Sequence, residues 1–326
     1  MKKIAIGIDI GGTKISIAAG SAAGKILAYS VIPTVKGRQA AQGVENLVRA
    51  LRLFIAQLPP QQRNHIAGIG VCLPGAVNSR LGVVPVSPNM QGWQGIKLAR
   101  ILKQAFHLPV RMVNDANAAA VAEMLFGAAR RVKDFIYVTV STGIGSGIVT
   151  GGCLLEGVSF VAGEVGHMTI AAGGDLCNCG RRGCFEAMAS GGAIERYTLA
   201  QMKKKKIAGS KRYFLNGRVA TRAIKAAAHA GNRFALHAFE RAGHYLGIGL
   251  GSLMNILNPQ MIILGGGVLE EPPAIFWKAM RQSLKVTAWP EAYRAAKVLP
   301  TPLKNNAGNL GALAVVFNSF PKSAKR

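Results

Sequence analysis

A strand, a glycine-rich turn and a returning strand occur twice in this chain, and that repetition limits the possible folds more than any other feature. Residues 3–9 (KIAIGID) are a short apolar run with the character of a buried strand. Gly11-Gly12-Thr13 then forces a turn and 14–19 reads as the return, so the first unit is a hairpin with a glycine tip. Residues 135–140 repeat the run, 141–147 (STGIGSG) repeat the turn, and 148–150 supply the return. Strand–helix alternation follows each hairpin. After the first come an amphipathic helix over 40–57, with Val44, Leu47, Val48, Leu51, Phe54 and Ile55 at helical spacing, and a strand over 65–73 ended by Pro74-Gly75. A helix over 96–106, a strand over 110–113 and an alanine-rich helix from Asp115 to about residue 126 complete that half, with Asp115 a favourable cap. After the second hairpin come an irregular stretch over 163–186, a largely helical region over 218–257, a buried strand over 260–264 and a last helix over about 309–317. The pattern is that of two similar α/β halves, each with a mixed sheet opened by a hairpin. Ligands of such sheets bind at loop ends, here expected in a cleft between the halves. The expected division is an N-terminal domain of 1–117 plus about 300–326 and a C-terminal domain of 118–299.

Composition narrows the class further. Half of the 326 residues are hydrophobic and 17% are charged, which excludes a disordered chain. The uncharged runs 135–155 and 242–269 are interrupted by glycine, asparagine, proline and hydroxyl residues, so neither reads as a membrane span. The apolar start is too short for a secretory segment, and a cytoplasmic protein without membrane insertion is expected. The net charge of +26 attracts phosphate-rich partners without any specific site. Its basic residues are spread along the chain, with one dense cluster at Lys203–Lys206, Lys211 and Arg212. That cluster reads as a solvated face, with nucleic-acid or anionic-membrane binding as the alternative; no specific nucleic-acid partner is expected.

Several motifs carry chemistry. Asp9-Ile10-Gly11-Gly12-Thr13 sets a carboxylate at a strand end beside two glycines and a hydroxyl. Glycines let backbone amides approach an anion closely. The carboxylate would repel phosphate unless a cation such as Mg²⁺ lies between them. Thr142-Gly143-Ile144-Gly145 offers the same donors without the acid. Neither loop is a Walker or dinucleotide fingerprint, because each joins two strands. Gly265-Gly266-Gly267 after a buried strand reads either as an adenosine contact or as a tight strand-to-helix turn. His167, Cys177, Cys179 and Cys184 form H-x9-C-x-C-x4-C, enough for a closed tetrahedral Zn²⁺ shell of structural type. Glu164 and Glu186 flank it, two fixed acceptors suited to a hydroxyl-rich ligand or two solvated acids. Cys72 and Cys153 read as core residues. Asn114-Asp115-Ala116-Asn117 lies where a strand passes into a helix. There Asp115 suits a general base and Asn114 a substrate ligand. The loop Ser87-Pro88-Asn89 with Gly92-Trp93 adds an amide and an indole, for sugar stacking or for the core.

Together these residues resemble the ROK family (repressor, open reading frame, kinase), from Asp9 to about Gly311. The most specific part is Gly163-Glu164-Val165-Gly166-His167, with Cys177-Asn178-Cys179-Gly180 and Gly183-Cys184-Phe185-Glu186. Within the family the pattern is most like bacterial glucokinases. The resemblance implies an actin-like ATPase (ribonuclease H-like) fold, ATP and Mg²⁺ as cofactors beside structural Zn²⁺, and a homodimer or homotetramer. It implies Asp115 as the general base for a hexose 6-hydroxyl, most naturally that of glucose. N-acetylglucosamine, N-acetylmannosamine or fructose are alternatives, and a sugar-responsive repressor is a more distant one. It assigns the sugar to Asn89, Asn114, Glu164, His167 and Glu186. Phosphate and metal fall to Asp9, Gly11, Gly12, Thr13, Lys14, Thr142 and Gly143, with Gly265 and Gly266 toward the nucleotide. Ser141 and Ser146 stand where many members have glycine, which narrows the phosphate path.

Overall fold

The computed structural model describes residues 3–86, 91–205 and 210–318. Its strands are β1 (Ile4–Ile10), β2 (Lys14–Ser21), β3 (Ile26–Pro33), β4 (Ile66–Leu73), β5 (Ala76–Asn78), β6 (Val83–Val86), β7 (Val110–Asn114), β8 (Phe135–Val140), β9 (Ile144–Thr150), β10 (Cys153–Leu154), β11 (Phe214–Leu215), β12 (Arg218–Val219), β13 (Met261–Gly265) and β14 (Lys297–Pro300). Its helices are α1 (Ala40–Gln57), α2 (Pro60–Arg63), α3 (Leu98–Phe106), α4 (Asp115–Phe126), α5 (Phe185–Ala189), α6 (Gly191–Lys205), α7 (Thr221–His229), α8 (Arg233–Leu257), α9 (Ala274–Thr287), α10 (Pro290–Ala295) and α11 (Ala307–Phe317). The chain divides into two compact units. Unit 1 holds 1–137, 147–163 and 301–326, and unit 2 holds 138–146 and 164–300.

Unit 1 is built on a mixed sheet of order β3-β2-β1-β4-β7. The hairpin β1–β2 is antiparallel, whereas β4 and β7 run parallel to β1. Every β1 residue except Asp9 is buried, because apolar residues face a helical layer on both sides. On one side, Val44, Leu47, Leu51 and Phe54 of α1 join Leu98 and Leu102 of α3 in one core. On the other, α4 and α11 pack with Ala5, Cys72 and Val113. Small residues set the depth of this second layer. A Cβ on Gly70 would lie 1.8 Å from the Ala312 carbonyl, and one on Gly311 would lie 2.6 Å from the Ala118 carbonyl carbon. Helix α11 thus lies directly on the sheet, although it is the last element among the described residues.

The second sheet has the order β10-β9-β8-β13-β14, and β13 pairs in parallel with β14. Within unit 2, α8 and α9 pack so closely that a Cβ on Gly243 or Gly247 would lie 2.3 Å from a carbonyl of α9. No helix among the described residues is long and apolar enough to cross a membrane.

Several expectations need correction. The second return strand starts at Ile144, so the turn is only Ser141–Gly143. Ser146 is a buried strand residue and no part of a phosphate path. Arg218 belongs to the small antiparallel pair β11–β12, not to a helix. Cys153 is exposed rather than core. Trp93 is 1% exposed and donates from Nε1 to the Val35 carbonyl at 2.9 Å, so its ring offers no face to a ligand. The cap of α4 is Asn114, not Asp115.

Candidate functional site

In unit 1 three parallel strands end side by side, and their register decides which side chains meet. Asp9 of β1 pairs with Cys72 of β4, and Leu73 of β4 pairs with Asn114 of β7. The carboxyl ends of parallel strands are where such sheets take ligands. Asp9 is held on two sides. The Cys72 thiol donates to Oδ1 at 3.5 Å, and Oδ2 lies so near Gly308 that a Cβ there would sit 2.3 Å away. Burial pushes the Asp9 carboxyl above its ordinary value, against the opposing hydrogen bond from Cys72 and the charge of Lys14. Burial also pushes the Cys72 thiol well up, and the charges of Asp9 and Asp115 add to it, which suits the thiol as a hydrogen-bond donor to Asp9.

The Asn114 side chain caps α4. Its Oδ1 accepts from the amides of Ala116 and Asn117 at 2.9 and 3.2 Å, and its Nδ2 donates to the Gly75 carbonyl at 3.1 Å. Most of its hydrogen-bonding capacity is therefore structural, with one amide hydrogen beyond these bonds. Asp115 follows as the first helical residue, exposed, with Oδ1 accepting from the Ala116 amide at 2.8 Å. A carboxylate there gains from the positive end of the helix.

The tip of the first hairpin is Gly12-Thr13. Its carbonyl groups are tied down locally: Gly11 donates to the Lys14 carbonyl at 2.9 Å, and Thr34 reaches Gly11 and Thr13 through its hydroxyl and amide. Among the described residues no protein acceptor is found for the Gly12 and Thr13 amides, which suits an anion nest. A half-buried carboxylate beside such a nest fits Mg²⁺, which binds through one or two carboxylates and water.

Unit 2 contains the cysteine cluster. One ligand atom from each of His167, Cys177, Cys179 and Cys184 lies within 4.8 Å of the others. The Cys177 Sγ to His167 Nδ1 distance is 3.8 Å, and Cys179 Sγ to Cys184 Sγ is 3.7 Å. A tetrahedron with Zn–S near 2.3 Å has edges of about 3.8 Å, so the four atoms fit zinc. Glycines make this convergence possible. Gly183 has φ 71° and a Cβ there would lie 1.7 Å from the Ala171 carbonyl oxygen. Arg241 pins the same loop by an ion pair to Asp175 at 2.9 Å while stacking on Tyr197 and Tyr245.

Glu186 joins this cluster to the second glycine turn. Its Oε1 lies 3.9 Å from Cys177 Sγ, and its Oε2 accepts from the Ile144 amide at 3.0 Å. A Cβ on Gly143 would lie 2.2 Å from that Oε2, so a larger residue here would have to displace the carboxylate. The carbonyls of Ser141 and Thr142 accept from the amides of Gly191 and Gly192 at 2.8 and 3.1 Å, at the start of α6. Ser190, Gly191 and Gly192 are missing from the sequence reading. Their signal was a serine cap: Ser190 Oγ accepts from the Ala193 amide at 3.1 Å. Gly308 and the pairing of Cys72 with Asp9 were also missed, and no local motif marks them.

Glu164 is exposed at the start of the 3₁₀ turn Val165–His167, which orients His167. Gly265 closes β13. Gly266 follows with φ 101°, where a Cβ would meet the Val140 carbonyl oxygen at 2.4 Å, while nothing lies within 4 Å of one on Gly267. Gly266 therefore has a packing reason of its own, and Gly267 has the open side. Asn89 lies outside the described residues, with Ser87 and Pro88.

The sequence profile of the ROK family matches residues 5–319. A glucokinase from Halalkalibacterium halodurans is 34% identical over 310 residues, 94% of this chain and 92% of that protein. A xylose repressor from Bacillus spizizenii is 35% identical over 274 residues, 84% of this chain and 67% of that protein. The crystal structure of a ROK family glucokinase from Streptomyces griseus in complex with glucose and AMPPNP is similar with a TM-score of 0.78. It is 31% identical and covers 96% of this chain and 98% of that one.

Proposed function

The chain belongs to the ROK family and has its two-domain actin-like ATPase fold, and from that premise we propose that it is an ATP-dependent hexose kinase acting on a 6-hydroxyl, with glucose as the leading substrate. The observation that carries the reading is the edge of the parallel strands in unit 1, where the register sets Asp9 beside Cys72 and Leu73 beside Asn114, with Asp115 the next residue and exposed. One acid has the surroundings of a cation ligand and the other those of an exposed base. The glucokinase relative supports glucose and the complex with AMPPNP supports ATP. The fructose and N-acetylhexosamine alternatives concern the same hydroxyl chemistry. A homodimer or homotetramer accompanies the reading.

Each residue has a role in that reaction. Asp115 accepts the proton of the sugar hydroxyl as its oxygen attacks the γ-phosphorus. The new O–P bond forms in line with the breaking bond to the β-phosphate oxygen, and ADP leaves. The Gly12, Thr13, Thr142 and Gly143 amides and the threonine hydroxyls receive phosphate oxygens. Asp9 would hold Mg²⁺, which when bound neutralises phosphate charge. His167, Cys177, Cys179 and Cys184 would hold zinc, a closed shell that supplies rigidity rather than a reactive water. Asn89, Asn114, Glu164, His167 and Glu186 are proposed sugar ligands, with Asn114 limited to its remaining amide hydrogen.

The xylose repressor favours one second reading, a sugar-binding regulator without transfer. An ADP-release assay over a panel of hexoses and N-acetylhexosamines separates the two. The kinase reading expects turnover with glucose and a fall in kcat of about 10²- to 10⁴-fold in Asp115→Asn, with sugar binding retained. Sugar binding without ADP release would establish the regulator instead.

A further inference from the structure

Between Glu195 and Glu240 the chain has no acidic residue over 44 positions, while 11 of its 40 Lys and Arg fall there. That is one cation in four residues, twice the density of the whole chain. The fold gathers them within unit 2. Helix α6 packs on α7 and β12, and both the 3₁₀ turn Ser210–Tyr213 and β11 pack on α7. Lys203, Lys204, Lys211, Arg212, Arg218 and Arg222 are exposed on these adjoining elements. Glu195 accepts from the Thr221 amide and hydroxyl, both at 2.8 Å. The backbone carbonyls of Glu270 and Glu271 engage Lys225 and His229, so Lys225 is left out of the group.

The hairpin that follows Lys211 and Arg212 in the chain and carries Arg218 also exposes apolar side chains. The β11–β12 hairpin turns through Asn216 (φ 52°) and Gly217 (φ 74°), the tight turn that Asn-Gly favours. Phe214 is 39% exposed and Leu215 46% exposed on it, and the register Leu215↔Arg218 places the leucine and the arginine on one face. Cations alone would suit any polyanion. Phe214 and Leu215 are successive in β11 and so project to opposite faces of the hairpin, and each gains only where it also leaves water, as at the boundary between lipid headgroups and acyl chains. Stacking on single-stranded nucleic acid would call for a platform of rings. Here Tyr213 is 1% exposed and bonded to Asn232 at 3.0 Å, which leaves Phe214 as the exposed ring of the hairpin.

We propose that this basic face of unit 2, with Phe214 and Leu215 on its hairpin, docks the protein on anionic lipid surfaces. The inference stands apart from the kinase reading and from the ATP-binding loops. The test is co-sedimentation of the full chain with phosphatidylglycerol-containing vesicles and with neutral phosphatidylcholine vesicles at about 0.1 M salt. Binding is expected on the anionic vesicles alone. Lys211→Glu/Arg212→Glu/Arg218→Glu should weaken it on the order of 100-fold, about fivefold or more for each cation. Phe214→Ser/Leu215→Ser should weaken it about tenfold with the net charge unchanged. Arg49→Glu/Arg52→Glu/Lys103→Glu, the same charge change in unit 1, should weaken it much less. Melting temperatures guard against misfolding, and Lys211→Gln/Arg212→Gln/Arg218→Gln is the milder substitute. Equal loss in the unit 1 variant, indifference to the Phe214/Leu215 variant, or displacement of vesicles by single-stranded RNA with the same mutational pattern would each overturn the proposal.

Discussion

The two glycine-tipped hairpins solve the same problem with different materials. The first carries its carboxylate on its own strand, Asp9, and is steadied by its neighbour Thr34. The second borrows a carboxylate, Glu186, from 42 positions away, and is steadied by the amides that open α6. The first is thus a local construction on a sheet edge. The second is tied to the cysteine loop that delivers Glu186, since Cys184 is the N-cap of α5 and Glu186 lies in its first turn. The difference teaches that one loop is built within its own sheet, while the other is tied through Glu186 to the loop of the Cys/His cluster.

Metal removal gives the largest separation between them. Cys184→Ser, or a strong chelator, should lower the melting transition of unit 2 by about 10 °C or more, because a structural metal's binding energy is folding energy. Unit 1, which holds Asp9 and its loop, should keep its own transition. Calorimetry with and without chelator measures both. An unchanged unit 2 would sever the second loop from the cluster, and equal loss in both units would erase the comparison.

Gly143→Ala is the next largest. Its methyl group would sit 2.2 Å from Glu186 Oε2, so the carboxylate must leave and the Ile144 amide loses its acceptor. An unsatisfied buried donor costs about 2 kcal/mol. Glu186→Ala alone should cost a similar amount, and the double variant should cost much less than the sum, because both changes remove one interaction. Urea denaturation of the three variants closes the cycle. Additive losses would mean that the two residues act separately.

The same contrast explains what could be read from sequence. Continuous apolar runs and 3.6-residue spacing located β1, α1 and α4, and the repetition of run and glycine turn located both hairpins. The cluster of His167, Cys177, Cys179 and Cys184 was legible because its spacing within one loop is itself the signal. Glu186 was visible as an acid, but its partnership with Ile144 and Gly143 joins residues far apart in the chain. Asn114 and Asp115 are both good caps, and spacing cannot choose between them. Backbone geometry does, since Asn114 keeps extended angles (φ −60°, ψ 149°) while Asp115 enters the helix. The edge strand β3 escapes a hydropathy reading because ILAYSVIP is mostly apolar at both its half-buried and its exposed positions. Trp93 could be placed in the core only once Val35 was seen to accept from its indole.

The smallest effect concerns the local loop, where the restraints on Asp9 are two and unequal. A methyl group on Gly308 would stand 2.3 Å from Oδ2, and the backbone of α11, pressed on the sheet, cannot retreat. The Asp9 carboxylate must then leave its present position. Cys72→Ala removes only a weak S–H donor at 3.5 Å and leaves the carboxylate where it is. Under the kinase reading, Gly308→Ala should weaken Mg·ATP binding about tenfold and Cys72→Ala about twofold, both read by titration calorimetry without turnover. Neither should alter the zinc-dependent transition of unit 2. If Cys72→Ala proved as damaging as Gly308→Ala, the thiol rather than the close approach of α11 would be what aims Asp9, and the first loop would depend on its partner strand as strongly as the second depends on Glu186.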